Sequence, residues 1–338
     1  MAPFYDALKV AFNKKSEDGQ LEIYIGDIDG EWCINAVPNG GYVLGLIIEA
    51  CMQRQAHTKH KDPIHVTAHF LRSAGIAPFE VRIRELKKGR GFTNLTADLV
   101  QDNVIQVTTH QIFGVLSSPP NSPESVLTIA PPSPYARRLP LYQHPSTAPI
   151  IPLANPYGFL SRLKTTREPE LRAKNALDSP TRTNAQSIGG SGLEWGQWLT
   201  FMDERQTLSP PAIAFMADMF RSPPSLLPKS ERTGLSDVNW FPTVTMTVEF
   251  KVPVPKTSSQ RTTGLYANCH FVNDPQGRHD IDVEVWSGPC EVGEGKVEEG
   301  WREKQVCLAV SRQTSLIVPM HVNEAKSKRK KDNSTPKL

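Results

Sequence analysis

The strongest constraint on this 338-residue chain is an order of elements that occurs twice. A short strand signal at residues 21–25 leads through Trp32 and Asn39-Gly40-Gly41 into an apolar, Leu- and Ile-rich helix spanning about 42–55. Strand signals then follow with no further helix: 65–72, then 79–86 running into the turn Lys87-Lys88-Gly89-Arg90-Gly91, an extended stretch to Val100, and 104–113. In the second half, 157–163 and 195–201 are strand-like, 210–221 reads as a buried helix behind Pro210-Pro211, and strands are expected at 241–252, 264–272, 280–286 and 305–318. An offset of 180 residues lays Thr243–Phe250 on Pro63–Phe70 with few identities but matching apolar positions, which points to an internal duplication.

A unit with one helix lacks the crossovers that a doubly wound parallel sheet requires, so the expected solution is an antiparallel sheet wrapped around a long central helix. That is the hot-dog arrangement, and its duplication gives an α+β double hot dog of two such sheets. The expected divisions are an N-terminal unit at 1–115, a Pro/Ser-rich linker at 116–155, a C-terminal unit at 156–319 and a basic, disordered tail at 320–338. The polar segment 166–192 reads as an insertion or mobile loop.

Charge and cysteine content narrow the function. The formal charge is +3, but the tail from residue 321 carries six basic against two acidic side chains, which leaves the body slightly acidic and argues against a nucleic-acid surface. Five scattered cysteines with no Cys-x-x-Cys pair fit neither a metal centre nor a disulfide framework. His65 and His69 lie two apart on a strand, with no third ligand near them in sequence, so no metal is expected. The N-terminus lacks a signal-peptide core, and the most hydrophobic stretch, 41–52, is shorter than the roughly 20 residues of a membrane span. The expected location is cytoplasmic. Pro336-Lys337-Leu338 approximates the Ser-Lys-Leu peroxisomal address, with proline in the first position, and keeps the peroxisome as an alternative.

One residue stands out against this background. Asp218 is the lone carboxylate in Ala212-Ile213-Ala214-Phe215-Met216-Ala217-Asp218-Met219-Phe220, where it loses hydration and needs partners. Thr243 and Gln313, on later strands, are the candidate partners. With these residues the chain resembles the double hot-dog acyl-CoA thioesterases of the thioesterase II type, over about 20–115 and 155–318. The first unit contributes Asn39-Gly40-Gly41-Tyr42, His69-Phe70-Leu71-Arg72 and Gly89-Arg90-Gly91-Phe92. In the second, Ala217-Asp218, Pro242-Thr243-Val244 and Leu308-Ala309-Val310-Ser311-Arg312-Gln313 match the family's catalytic Asp, Thr and Gln in order. Glu249-Phe250-Lys251 departs from the aromatic and histidine usual there, and the turn near 287–303 is expanded, so substrate choice does not carry over.

The resemblance implies hydrolysis of an acyl-CoA-type thioester without a cofactor. Asp218 acts as base on a water that Thr243 and Gln313 hold; no serine elbow is needed or present. Gly40 and Gly41, at a helix start, are oxyanion candidates, and Lys88 and Arg90 are candidates for CoA phosphates. Each also has a structural reading: a paired buried acid, a β-branched strand residue, an exposed amide, a helix-start turn, a solvated hairpin tip. A non-catalytic acyl-binding or scaffold protein of the same fold is the alternative function. A hot-dog hydratase ranks below both, for want of a Gly-Asp-x-Asn-Pro-like stretch. Open sheet edges leave room for a homo-oligomer.

Overall fold

The structure, a computed structural model, describes residues 2–116, 129–131, 133–153, 157–190, 192–232, 235–236 and 238–325. Most of the basic tail, the Pro336-Lys337-Leu338 signal and part of the expected linker lie outside them.

The strands, in chain order, are β1 (Ala11–Lys15), β2 (Leu21–Asp27), β3 (Asp62–Phe70), β4 (Pro78–Lys88), β5 (Thr93–Gln101), β6 (Val104–Gly114), β7 (Ile150–Ile151), β8 (Leu163–Thr166), β9 (Leu193–Phe201), β10 (Thr243–Phe250), β11 (Thr262–Cys269), β12 (Arg278–Ser287) and β13 (Cys307–Ser315). Together with the short Val272–Asn273, which pairs with β12, they form a 14-stranded sheet in the order β1-β2-β4-β5-β6-β3-β10-β13-β12-β11-β9-β8-β7. The pairings are antiparallel throughout. Two separate sheets were expected; the structure joins them, because β3 and β10 pair at the centre.

The register of that pair carries the duplication. Thr247 lies opposite Thr67, Thr245 opposite His69 and Glu249 opposite His65. Under the 180-residue offset, Thr247 corresponds to Thr67, Thr245 to His65 and Glu249 to His69, so each half pairs with the other through equivalent residues. This is the self-complementary contact of a two-fold dimer, made here within one chain.

Two helices lie against the inner face. The first, α1 (Gly40–Gln55), has 16 residues, and the Asn39 side chain caps it by accepting the Tyr42 N–H at 3.0 Å. Tyr42 to Ile48, Ala50 and Cys51 are all buried, because sheet and partner helix together enclose most of its circumference. The second, α2 (Pro210–Ala217), has only eight residues. The expected helix of 210–221 is therefore corrected to Pro210–Ala217, whereas the first unit's helix runs close to its expected 42–55. The chain leaves the helix at Asp218 and Met219, whose N–H groups bond back three residues to Phe215 O and Met216 O, each at 3.0 Å. Strand glutamines then take up the orphaned carbonyls: Gln313 Nε2 donates to Ala217 O at 3.1 Å and Gln197 Nε2 to Met219 O.

The helices approach closely because glycine meets backbone. A Cβ on Gly41 would lie 2.7 Å from Ala214 O, and one on Gly45 would lie 3.1 Å from Pro211 O. Around this crossing Phe4, Trp32, Phe159, Phe201 and Phe215 form a continuous aromatic core, with Trp32 stacked on Phe159 at 5.4 Å and edge-on to Phe215 at 5.3 Å. Burying each such ring contributes roughly 1.5–3 kcal/mol.

On the outer face of the second unit, Leu139, Leu141 and Ala148 from the proline-rich segment pack with Leu171 on Trp198, Tyr266 and Trp286. Leu171 belongs to a short helix, Pro169–Lys174, inside the stretch expected to be a loop. Asn175 ties that helix to β9, accepting the Glu194 N–H at 3.0 Å and donating to Glu194 O at 2.7 Å. Among the described residues no helix is long and apolar enough to cross a membrane.

Candidate active site

Asp218 stands at the C-terminal end of α2 with φ −101° and ψ 6°, one residue beyond the helix rather than within it. There its carboxylate faces the N-terminus of α1, and Gly41 donates its N–H to Asp218 Oδ2 at 2.8 Å. A helix start offers free N–H groups and a partial positive charge, which favour an anion. Glycine is required for this approach, since a Cβ on Gly41 would lie 2.7 Å from the Cβ of Asp218.

Two opposing influences act on this acid. Burial pushes its pKa up to about 6, while the Gly41 N–H, the Gln313 and Asn39 side chains and the Gly40 N–H favour the ionised form. Burial wins, and the result is a carboxylate close to the range suited to a general base at neutral pH. Tyr157, beside it, is held in its neutral form by burial first and by the charge of Asp218 second.

Asp218 and Thr243 line the same cavity, of about 720 Å³. Strict alternation along β10 would send Thr243 outward with Thr245 and Thr247, since Met246, Val248 and Phe250 point into the core. A bulge between Thr243 and Thr245, where Thr243 still pairs with Ser315, places Thr243 on the cavity wall. Phe70, Trp240, Phe241 and Leu316 give that cavity an apolar lining, within the size range of small-molecule sites.

Gln313 lies behind the acid, 1% exposed. Its amide N–H serves Ala217 O, and its Oε1 is buried with no hydrogen-bond partner. Asp218 and Thr243 therefore share the cavity, and Gln313 supports the acid from behind without lining it.

The other expected site residues fall differently. The Gly41 N–H is engaged by Asp218 rather than open to an oxyanion, and Gly40 likewise supports the carboxylate. Lys88 and Arg90 sit exposed at the tip between β4 and β5 and do not line the cavity. The backbone of Arg90 is tied instead to Lys59 Nζ, at 2.7 Å. His65 and His69 lie along the central seam, with Glu249 directly opposite His65. Among the described residues one group, His270, Asp280 and Asp282, brings ligating atoms within 4.8 Å of one another; Asp280 Oδ1 there already accepts the Phe271 N–H at 2.8 Å.

Sequence reasoning missed the cations that do reach the cavity: Arg72, Arg167, Arg221 and Arg232. Arg221 follows Asp218 by three residues, and that proximity was the available signal.

Residues 28–114 match the acyl-CoA thioesterase N-terminal domain and residues 159–288 the acyl-CoA thioesterase C-terminal domain. A solved structure of a provisionally assigned thioesterase II from Thermobifida fusca is similar with a TM-score of 0.61 and 22% identity, covering 94% of this chain and 98% of that one. A hot-dog protein of unknown function from Alicyclobacillus acidocaldarius gives a TM-score of 0.59 at 20% identity, covering 93% and 97%. The acyl-CoA thioesterase II TesB2 of Mycobacterium marinum gives 0.58 at 13% identity, covering 94% and 99%. These likenesses show the hot-dog fold. Among curated proteins, the Ustilagic acid biosynthesis cluster protein orf2 of Mycosarcoma maydis is 32% identical over 76 residues, 22% of this chain and 20% of the length of that relative.

Proposed function

Because the chain belongs to the acyl-CoA thioesterase family, matching both of its domains over well over half its length, we propose that it hydrolyses acyl-CoA-type thioesters at the cavity lined by Asp218 and Thr243. One observation carries the reading. A carboxylate with its pKa near 6 shares a cavity with a threonine hydroxyl, and an unpartnered amide oxygen, Gln313 Oε1, lies behind it.

A water held between Thr243 and Gln313 gives its proton to Asp218 as its oxygen attacks the thioester carbon. The tetrahedral intermediate then collapses, the C–S bond breaks, and the departing sulfur takes up a proton to leave free acid and free thiol. Asp218 supplies base and, once protonated, acid, so the cycle needs no cofactor or covalent intermediate. The N–H groups of Gly40 and Gly41 hold the ionised Asp218 in place, a role that replaces the oxyanion contact expected for them. The apolar wall formed by Phe70, Trp240 and Phe241 suits an acyl chain.

The test is release of free thiol from a panel of acyl-CoAs by the purified chain. Asp218→Asn should lower turnover by roughly 10²–10⁴. Equal rates in the variant and the parent would remove the mechanism, and acyl-CoA binding with no turnover in either would favour a binding protein of the same fold.

A further inference from the structure

One wall of the cavity is crowded with positive charge. Arg167, Arg221 and Arg232 all line it, and Arg172 lines a neighbouring hollow that shares Arg167 and Ile151. Nearby carboxylates are engaged elsewhere, Glu231 with Arg182 and Glu194 with Lys174. Among the described residues none of the four arginines forms an ion pair with a carboxylate. Burial, then the charges of Arg167, Arg232 and Arg172, lower the pKa of Arg221. A guanidinium does not lose its proton in a protein, so this repulsion stands until an anion relieves it.

The wall is also built, beyond being charged. Arg232 is fixed by two backbone acceptors, Leu227 O at 2.7 Å to Nε and Ser225 O at 2.8 Å to Nη2. Arg221 Nε donates to Ser225 Oγ at 3.3 Å, from the same turn. Arg167 Nε is buried with no hydrogen-bond partner. A solvated basic patch would leave these groups in water; here two are anchored and one carries an orphaned donor. Arg221 lies three positions after Asp218, so their backbones lie within about 11 Å of each other.

Taking the cavity as the thioester-hydrolysing site, we infer that Arg167, Arg221 and Arg232 form a subsite for an oxyanion group carried by the substrate at a distance from the thioester. Guanidinium forks recognise phosphate and carboxylate oxygens in the same bidentate way. The anion comes either from phosphates on the thiol carrier or from a carboxylate at the far end of the acyl chain. The exposed Lys88 and Arg90 have no part in it.

The experiment measures binding and turnover separately on the full chain, with Arg221→Gln, Arg167→Gln and the charge-retaining Arg167→Lys. By calorimetry, each Gln variant should bind coenzyme A or an ω-carboxyacyl thioester of pantetheine roughly tenfold more weakly than the parent, with Arg167→Lys between them. If carrier phosphates occupy the subsite, KM rises in the variants for acyl-CoA but not for the same acyl group on pantetheine. If an acyl carboxylate occupies it, KM rises for ω-carboxyacyl substrates on either carrier and stays level for neutral acyl-CoA. Parental affinity for both ligands in folded Gln variants would overturn the subsite, whatever the turnover. Arginine-dependent binding with no hydrolysis of any substrate would leave the subsite standing and remove the proposed reaction instead.

Discussion

Gly41, in the first half of the chain, donates its N–H at 2.8 Å to the carboxylate of Asp218, 177 residues away in the second half. The acid is therefore oriented by a helix that its own unit does not supply.

Replacing Gly41 by alanine tests this dependence. Its Cβ would meet Ala214 O and the Asp218 Cβ at 2.7 Å and the Phe215 Cα at 2.9 Å, mostly unyielding backbone. Overpacking of this kind costs on the order of 1–3 kcal/mol, and the acid must shift. Gly41→Ala should lower both the denaturant midpoint and turnover. Gly40→Ala, whose nearest contact is the movable Asp218 Oδ2 at 3.1 Å, should lose less stability while still disturbing the reaction.

The pH profile follows from the acid. In the proposed mechanism Asp218 acts as a base only when ionised, and burial lifts its pKa to about 6. With a neutral acyl substrate, kcat/KM should fall about tenfold per pH unit below 6 and level off above it. A profile flat from pH 5 to 8 would remove Asp218 from the base role.

The same displacement has a stability consequence of opposite sense. Between pH 3.8 and about 6 the folded chain binds more protons at this site than the unfolded chain, so stability falls as pH rises through that window. Above it, the ionised acid costs the fold on the order of 3 kcal/mol. Asp218→Asn should thus raise the melting temperature by a few degrees at pH 7.5, with the gain shrinking toward pH 4. Melting curves of parent and variant across that range are the check.

Thr243 and Thr245 offer a matched pair, because the bulge between them separates their surroundings. Thr243→Val should cut turnover roughly 10²-fold by leaving the water misplaced. Thr245→Val, on the outer face, should leave turnover within twofold. Equal effects at both positions would show that the threonine acts through strand packing alone.

Sequence periodicity revealed the strands, because each long strand turns one face to a common core, and the offset that overlays the two halves reappears in the pairing of Thr67 with Thr247. It overestimated the second helix. The apolar run continues through Met219 and Phe220, yet hydrogen bonds from Gln313 and Gln197 to the backbone of 217–219 end the helix there. Such a stop depends on residues roughly 20 and 100 positions away. Asp218 was conspicuous as a charge among apolar neighbours, whereas its donors were misread, since nothing local says that Gly41 turns toward an acid from the other unit. Arg167 lies at the edge of a segment whose polar composition reads as a loop, and Lys88 and Arg90, conspicuous at a turn, are remote from the cavity.

Asn39 and Ser209 cap the two helices at corresponding positions, accepting the N–H groups of Tyr42 and Ala212. Counting from those caps, Pro210-Pro211 stand where Gly40-Gly41 stand, and Ile48 where Asp218 does. Proline has no N–H to give, and Ile48 is sealed from solvent with no charge to receive one. The two halves therefore share a helix-capping plan but not its chemistry: the first supplies N–H groups where the second has prolines, and the second supplies the acid that those groups grip.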